Sequence, residues 1–387
     1  MSCTTYIDGI FLHISNSLTK RGVILSMKIL ILANNDVGLY KFRKELIQEL
    51  IPQNEVVVCL PKGEFIPALT SLGCQYVECR LLKRHGKNPI QDAFLAIWYI
   101  SLIKRINPNV VLTYTIKPNI YGGLACRLLH VPYLVNITGL GTAVENKSFI
   151  QKLTLSLYRL GISRANKVFF QNTDNRDFML KNHIVKGPYE VIPGSGVNLS
   201  QYRVTEYPNG EYVDFVFISR IMKEKGIDQY LEAAEIIHNR YPYTRFHICG
   251  FCEPEYVGNL ESQALKGNII YHGLVDDIAA IHCFSACTIH PTYYPEGLSN
   301  VLLESCACAR PIITTNRPGC REIVEDGING YIVKEKDSAD LIEKIEEFLQ
   351  LSWDTRKKMG LAGRARVEKY YDRKIVIEKY MKEIESI

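Results

Sequence analysis

The chain has no apolar run of the about 18 residues that a membrane-spanning helix requires, so nothing in it is expected to cross a bilayer. Its 12 cysteines stand singly or in loose pairs, without the dense framework of a small secreted domain, and point to reduced thiols in a cytosolic protein. Cys249 and Cys252 have C-x-x-C spacing, with Cys283 and Cys287 further on. Cys249 closes the apolar run RFHIC and Cys287 opens another, so these thiols are read as small buried hydrophobes rather than zinc ligands or a redox pair. No G-x-G-x-x-G follows a first strand, which removes the fingerprint of a nicotinamide-dependent dehydrogenase. No solenoid repeat is present. The opening segment makes a poor signal peptide, because Asp8 precedes its apolar patch, Lys20 and Arg21 follow it, and no small-residue cleavage site is clear. Residues 1–26 are read as an extension, either a disordered tail or a stretch ahead of a misassigned start.

What the chain does have is length and an uneven charge. With 387 residues, 47% of them hydrophobic, it is large enough for two cores. Residues 27–200 carry 21 Lys and Arg against 11 Asp and Glu, while residues 201–387 carry 23 against 29. A basic first half implies an anionic partner, either a phosphate-bearing substrate or an anionic membrane surface; the alternative is a set of scattered, solvated lysines.

From Met27 onward, short apolar runs alternate with helical periodicity. KILILA, EVVVCL, NVVLTY, PYLVNI and KVFFQN read as strands of one parallel sheet. The rhythm breaks in the Pro-, Gly- and Asn-rich stretch from Val191 to Tyr212, then restarts with YVDFVFIS, TRFHICG, NIIYHG, CTIHP, PIITT and GYIV. The expected class is α/β, two Rossmann-like doubly wound domains facing each other across a cleft. The expected bounds are 27–195 for the first domain, 196–211 for the linker and 212–370 for the second domain. A C-terminal helix over 371–387 packs back on the first domain in this reading. Ligands of such sheets bind beyond the carboxyl ends of the strands, so functional residues are sought there.

Two stretches meet that condition. SRIMKEKG, residues 219–226, follows the first strand of the second domain and opens a helix, with Arg220 and Lys225 able to face a diphosphate and Gly226 allowing close backbone approach. PEGLSNVLLE, residues 295–304, follows CTIHP and opens a helix near Leu298. The amides of Leu298, Ser299 and Asn300 would favour a phosphate. Glu296 would meet a sugar, and Glu304, about two turns in, would accept hydrogen bonds from vicinal hydroxyls. Read singly, each stretch is equally a pair of solvated surface charges.

Together, and each after the expected strand, these motifs resemble the retaining family-4 glycosyltransferases of the GT-B fold. VIPGSGVNLSQY (191–202), HGLVDDI (272–278) and RPGCREIVEDGINGYIV (317–333) support the resemblance, and TYTIKPNIYGGLACRLLHVPYLVNITGLG (113–141) is similar to the subgroup that builds surface polysaccharides and lipid-linked oligosaccharides. The resemblance implies a hexosyltransferase that moves a sugar from a nucleotide-diphosphate donor, a UDP-sugar, to a saccharide acceptor linked to a polyprenyl diphosphate. It implies no cofactor, no metal and no nucleic-acid partner, and a cytoplasmic protein peripheral to an anionic membrane. Arg220, Lys225 and Glu296 would be catalytic. Gly250, Val275, Gly297, Leu298, Ser299, Asn300 and Glu304 would hold the donor. Gly38, Lys117, Asn119, Thr138 and Gly139 are the acceptor or cleft candidates, beside a basic loop with Lys83, Arg84, His85 and Lys87. Gly38 stands alone where many relatives have two glycines, no histidine follows the fifth strand, and Asn198 replaces a common aspartate without evident consequence. The remaining alternatives are a sugar-nucleotide epimerase of the same fold and a non-catalytic sugar-nucleotide-binding protein.

Overall fold

The computed structural model describes residues 26–82, 88–140 and 149–387. The extension up to residue 25 and the basic loop at Lys83, Arg84, His85 and Lys87 lie outside the described residues.

The first sheet comprises β1 (Lys28–Leu32), β2 (Glu55–Leu60), β3 (Gln75–Glu78), β4 (Val110–Tyr114), β5 (Tyr133–Ile137), β6 (Lys167–Phe170) and β7 (Tyr189–Val191). They run parallel in the order β3-β2-β1-β4-β5-β6-β7. The second sheet comprises β8 (Val213–Ile218), β9 (Thr244–Cys249), β10 (Ile270–Tyr271), β11 (Cys287–His290), β12 (Ile312–Thr315) and β13 (Gly330–Val333), parallel in the order β10-β9-β8-β11-β12-β13. Central strands such as VVLTY and YLVNI are buried along their whole length, as strands covered on both faces must be.

Two strands escape a reading by apolar runs. QYVE in β3 is half-exposed and polar at both ends, and β7 has three residues with an exposed tyrosine; both are edge strands, which need no continuous hydrophobic run. Cys249 and Cys287 are buried in the second domain's strands, while Cys252 and Cys283 are partly exposed.

The helices of the first domain are α1 (Asp36–Leu50), α2 (Ile66–Ser71), α3 (Pro89–Ile106), α4 (Gly123–Leu129), α5 (Phe149–Ile162) and α6 (Thr173–Lys181). Those of the second are α7 (Ile227–Arg240), α8 (Val257–Leu265), α9 (Ile278–Phe284), α10 (Asn300–Ala307), α11 (Ser338–Gln350) and α12 (Trp353–Tyr370), with α13 (Arg373–Glu385) closing the chain. Leu95, Tyr99, Cys126 and Tyr158 form the core on one face of the first sheet. The opposite face buries Leu46 and Ile47 of α1 together with Val376, Tyr380 and Ile384 of α13, so the last helix belongs to the first domain's core. Each of these three side chains, fully buried, contributes on the order of 1.5–3 kcal/mol.

The chain crosses between domains twice, side by side. Val197 N–H donates to the Tyr371 carbonyl at 2.8 Å and Arg373 N–H to the Val197 carbonyl at 3.1 Å. Arg373 also reaches Glu45 of α1 at 2.6 Å, and the Asn198 amide donates to the other Glu45 oxygen at 2.7 Å. Asn198 therefore has a consequence: an aspartate there would set a second carboxylate against Glu45, whereas the amide supplies a donor.

Candidate active site

Each sheet reverses its strand order once, between β1 and β4 and between β8 and β11, and the loops beyond these points flank the crevice where open parallel sheets bind ligands. After β8 the chain makes a tight turn over Lys223–Lys225 and enters α7 through Gly226, at φ 78°. A Cβ on Gly226 would stand 2.1 Å from the Pro291 carbonyl oxygen, so the loop after β11, rather than a ligand, demands glycine here. The Glu224 carbonyl accepts from Tyr293 N–H at 2.9 Å and from the Thr292 hydroxyl at 3.2 Å, which clamps the two loops together.

That clamp brings the expected catalytic groups to one place. The Lys225 ammonium pairs with the Glu296 carboxylate. Lys225 Nζ lies 4.9 Å from the centre of the Tyr294 ring and the Arg220 guanidinium carbon 5.8 Å from it, so one aromatic ring contacts both cations. Arg220 makes a 4.0 Å contact with Glu253 and keeps 30% of its side chain exposed. His290, fully buried at the end of β11, places Nε2 3.9 Å from Glu296, beyond hydrogen-bonding reach. Burial pushes the Glu296 carboxyl up, but the Lys225 charge, aided by His290, overrides it and holds the pKa at about 2.

The acid loop also meets the first domain. Asn172, just beyond β6, donates to the carbonyls of Glu296 at 3.2 Å and Gly297 at 2.6 Å. A Cβ on Gly297 would stand 2.2 Å from the Gln171 amide oxygen and 2.4 Å from the Thr138 carbonyl, and one on Gly139 would stand 3.2 Å from the Pro295 carbonyl. Thr138 and Gly139 thus sit against the loop that carries Glu296. Arg321 and Asp174 add a cross-domain ion pair at 2.7 Å.

Elsewhere the expected picture needs correction. Helix α10 begins at Asn300, not near Leu298, so Glu304 lies little more than one turn in. The Ser299 amide is taken by the Gly319 carbonyl at 2.8 Å, so it is not available to a phosphate, while the Leu298 side chain packs in the core. Asn300 accepts from the Ser195 hydroxyl. Gly250, at φ 141°, owes its identity to the Ser219 carbonyl oxygen, 1.8 Å from where a Cβ would be, and its amide donates to the Gly273 carbonyl at 2.7 Å. Val275 packs half-buried against Val216, Cys249 and Ile281. Asn35 caps α1 by accepting from the Gly38 amide at 2.6 Å. Lys117 is held by Asp92 at 2.7 Å. Asn119 is fully buried and donates to the Asn136 carbonyl at 2.9 Å, so it is not a cleft-lining side chain.

Burial raises the Glu304 pKa to about 7, against the opposing influence of the Tyr202 hydroxyl and the charges of Arg373 and Lys41. Lys41 lies on α1 of the first domain, one turn beyond Gly38. Tyr294, His290, Asn172 and Lys41 were not legible as site residues. Tyr294 and Asn172 had one available signal, their positions just past strand ends.

Two Rossmann-like domains meeting at loops that carry paired cations and acids define the GT-B architecture. Solved structures share it: the Anabaena protein HepE, in complex with UDP and glucose, superimposes with TM-score 0.77 at 15% identity over 93% of this chain and 100% of its own. A Rickettsia africae glycosyltransferase does so with TM-score 0.75 at 19% identity over 93% of this chain and 98% of its own. Family models match both domains, "Glycosyl transferase 4-like" over residues 28–172 and "Glycosyl transferases group 1" over residues 201–366, and the chain belongs to the glycosyltransferases. A Campylobacter jejuni relative named N,N'-diacetylbacillosaminyl-diphospho-undecaprenol alpha-1,3-N-acetylgalactosaminyltransferase is 25% identical, across 92% of this chain and 98% of its own. The Staphylococcus aureus capsular polysaccharide biosynthesis glycosyltransferase CapM is 30% identical across 44% of each chain. The epimerase alternative draws no support from these matches.

Proposed function

We propose that this glycosyltransferase takes a hexosyl group from a UDP-sugar and passes it, with retention, to a saccharide carried on a polyprenyl diphosphate during surface-glycan assembly. The observation that carries this reading is the convergence of Arg220 and Lys225 on Tyr294, with Lys225 paired to Glu296, at the switch point of the second sheet. The name of the Campylobacter relative, which spans nearly the whole chain, supports the lipid-linked acceptor.

In this reading the anomeric carbon–oxygen bond to the diphosphate breaks as the acceptor oxygen bonds to the same face of that carbon. The acceptor's proton passes to the departing phosphate oxygen. Charge grows on the diphosphate as an oxocarbenium-like sugar forms, and Arg220 and Lys225, held by Tyr294 and Glu296 before reaction, meet it without reorganising. Glu296 contacts hydroxyls of the transferred sugar, with Lys225 and Asn172 positioning its side chain and backbone. Glu304 receives the ribose hydroxyls, and Gly250 and Val275 border the base. The two fixed cations carry the leaving-group charge in this scheme without a metal. Thr138 and Gly139 bring the first domain, and the acceptor with it, against the sugar.

The experiment is a panel of UDP-sugars incubated with and without a polyprenyl-diphosphate-linked saccharide, reading UDP release and the glycosylated lipid. One donor giving an acceptor-dependent product with unchanged anomeric configuration is expected. An epimerised donor, an inverted product, or binding without turnover across the panel would overturn the proposal.

A further inference from the structure

Three of the described histidines are buried, His247, His282 and His290. His247 engages both ring nitrogens, one with His272 at 2.9 Å and the other with Asp214 at 2.8 Å. His282 turns Nδ1 toward the Thr288 hydroxyl at 3.4 Å. His290 differs from both, because neither of its ring nitrogens has a hydrogen-bond partner among the described residues. Burial removes the water that would otherwise satisfy an imidazole, so a ring enclosed in this way calls for a reason.

Its placement supplies one. His290 is the last residue of β11, and its backbone is fixed against Thr314 of β12, whose hydroxyl donates to the His290 carbonyl at 2.8 Å. It shares a sheet face with Thr288, two residues earlier, and Thr288 accepts from Ser305 of α10 at 2.8 Å. The ring therefore stands on the face that α10 covers, against the loop that carries Glu296. Lys225 Nζ and His290 Nε2 approach the same oxygen of that carboxylate, Oε1, the histidine at 3.9 Å. Oε2 accepts no hydrogen bond among the described residues, which leaves it to a ligand. Lys225 cannot orient the group alone: an ammonium on a flexible stem sets a distance but not the plane of its partner, and in the proposed reaction it also meets the diphosphate.

We propose that His290 is a positioning residue for the transferred sugar, its Nε2–H donating to Glu296 Oε1 once the donor is seated and so turning Oε2 toward the sugar hydroxyls. The 3.9 Å separation has to shorten by only about 1 Å to reach an ordinary hydrogen bond, and such bonds are often long in a catalytic site before substrate arrives. A neutral ring suffices. Burial pushes the His290 imidazole down, with Lys225 acting in the same direction and Glu296 against it. The carboxylate, which can only accept, selects the tautomer that carries its proton on Nε2. The inference rests on the sugar-binding role of Glu296 proposed above and names a residue that acts through it.

The test uses the UDP-sugar that the parent turns over, and compares the parent with His290→Leu, which cannot donate, and His290→Gln, whose amide can. In His290→Leu, kcat should fall by about 10- to 100-fold, as for loss of a hydrogen bond to a charged group, while affinity for UDP alone stays as in the parent. His290→Gln should regain most of the rate. In a Glu296→Gln background, His290→Leu should cause no further loss, because the histidine acts through that carboxylate. A second measurement needs no folded leucine variant. In the parent labelled with 15N-histidine, the His290 Nε2 proton, assigned by its absence from His290→Gln, should move downfield on adding the UDP-sugar and stay in place on adding UDP. A leucine variant as active as the parent, an equal loss of turnover and UDP binding, or a proton that ignores the sugar would overturn the proposal. A parent that turns over no UDP-sugar sinks the proposed function and this inference with it; normal turnover in both parent and leucine variant sinks the inference alone.

Discussion

Lys225 and Glu296 form a shielded ion pair that joins the loop after β8 to the loop after β11, with side chains only 11% and 16% exposed. Removing one partner leaves the other charge buried. Lys225→Met should cost about 3 kcal/mol of stability and lower kcat by about 10²–10³-fold. The double variant Lys225→Met, Glu296→Gln should regain most of the stability and none of the turnover. Thermal unfolding and steady-state kinetics on the three proteins check both halves.

The same pair makes stability depend on acid. Glu296 titrates at about 2 in the folded chain, against 4.5 ordinarily, so the folded state holds the carboxylate ionised where the unfolded chain would take up a proton. Its contribution is complete above 4.5 and is lost as pH falls from there toward 2. Glu296→Gln should remove this component from an acid unfolding series; an unchanged acid limb would show that the pairing contributes nothing.

Glu304 has the opposite sign. Its pKa is raised to about 7, so between 4.5 and 7 the folded chain keeps a proton that the unfolded chain releases, and stability falls as pH rises through that window. Nucleotide binding should move the other way, because ribose hydroxyls donate best to an ionised carboxylate. UDP affinity should therefore rise as pH climbs through about 7. Glu304→Gln should weaken UDP by roughly tenfold or more and flatten the profile, as calorimetric titration at several pH values would show.

Gly297 packs closely against the first domain. Gly297→Ala would place a methyl group against the Gln171 amide and the Thr138 carbonyl, forcing the acid loop away from the first domain. Transfer should fall by about 100-fold, the cost of an ångström-scale misplacement, with UDP affinity nearly unchanged. Asn172→Ala, which removes two hydrogen bonds to the same loop, should act in the same direction but less strongly. Equal loss of transfer and UDP binding would place the damage in the second domain alone.

The central strands were legible because burial on both faces leaves unbroken runs such as EVVVCL and VVLTY. The edge strands QYVE and YEV were not, since one free edge permits polar and exposed residues. Arg220, Lys225 and Glu296 could be anticipated as partners because each follows a strand in its own stretch. Their gathering by Tyr294 could not, because an aromatic between two strand-end motifs looks the same whether it faces solvent or two cations. Glycines misled in a particular way. Gly226 and Gly250 suggested room for a ligand, whereas their conformations answer to the Pro291 and Ser219 carbonyls. Ser299 illustrates a third limit: whether a helix's leading amide is free depends on a carbonyl from Gly319, 20 residues later in the chain.

The double crossing at Val197 and Arg373, with α13 returned to the first domain's core, bears on how the halves can move. A single tether would let one half swivel freely about the other. Two adjacent strands behave like the leaves of a door hinge, restricting the motion to opening and shutting about one axis. In the reaction proposed above, each shutting about that axis would return Thr138 and Gly139 to the same register against the loop that carries Glu296.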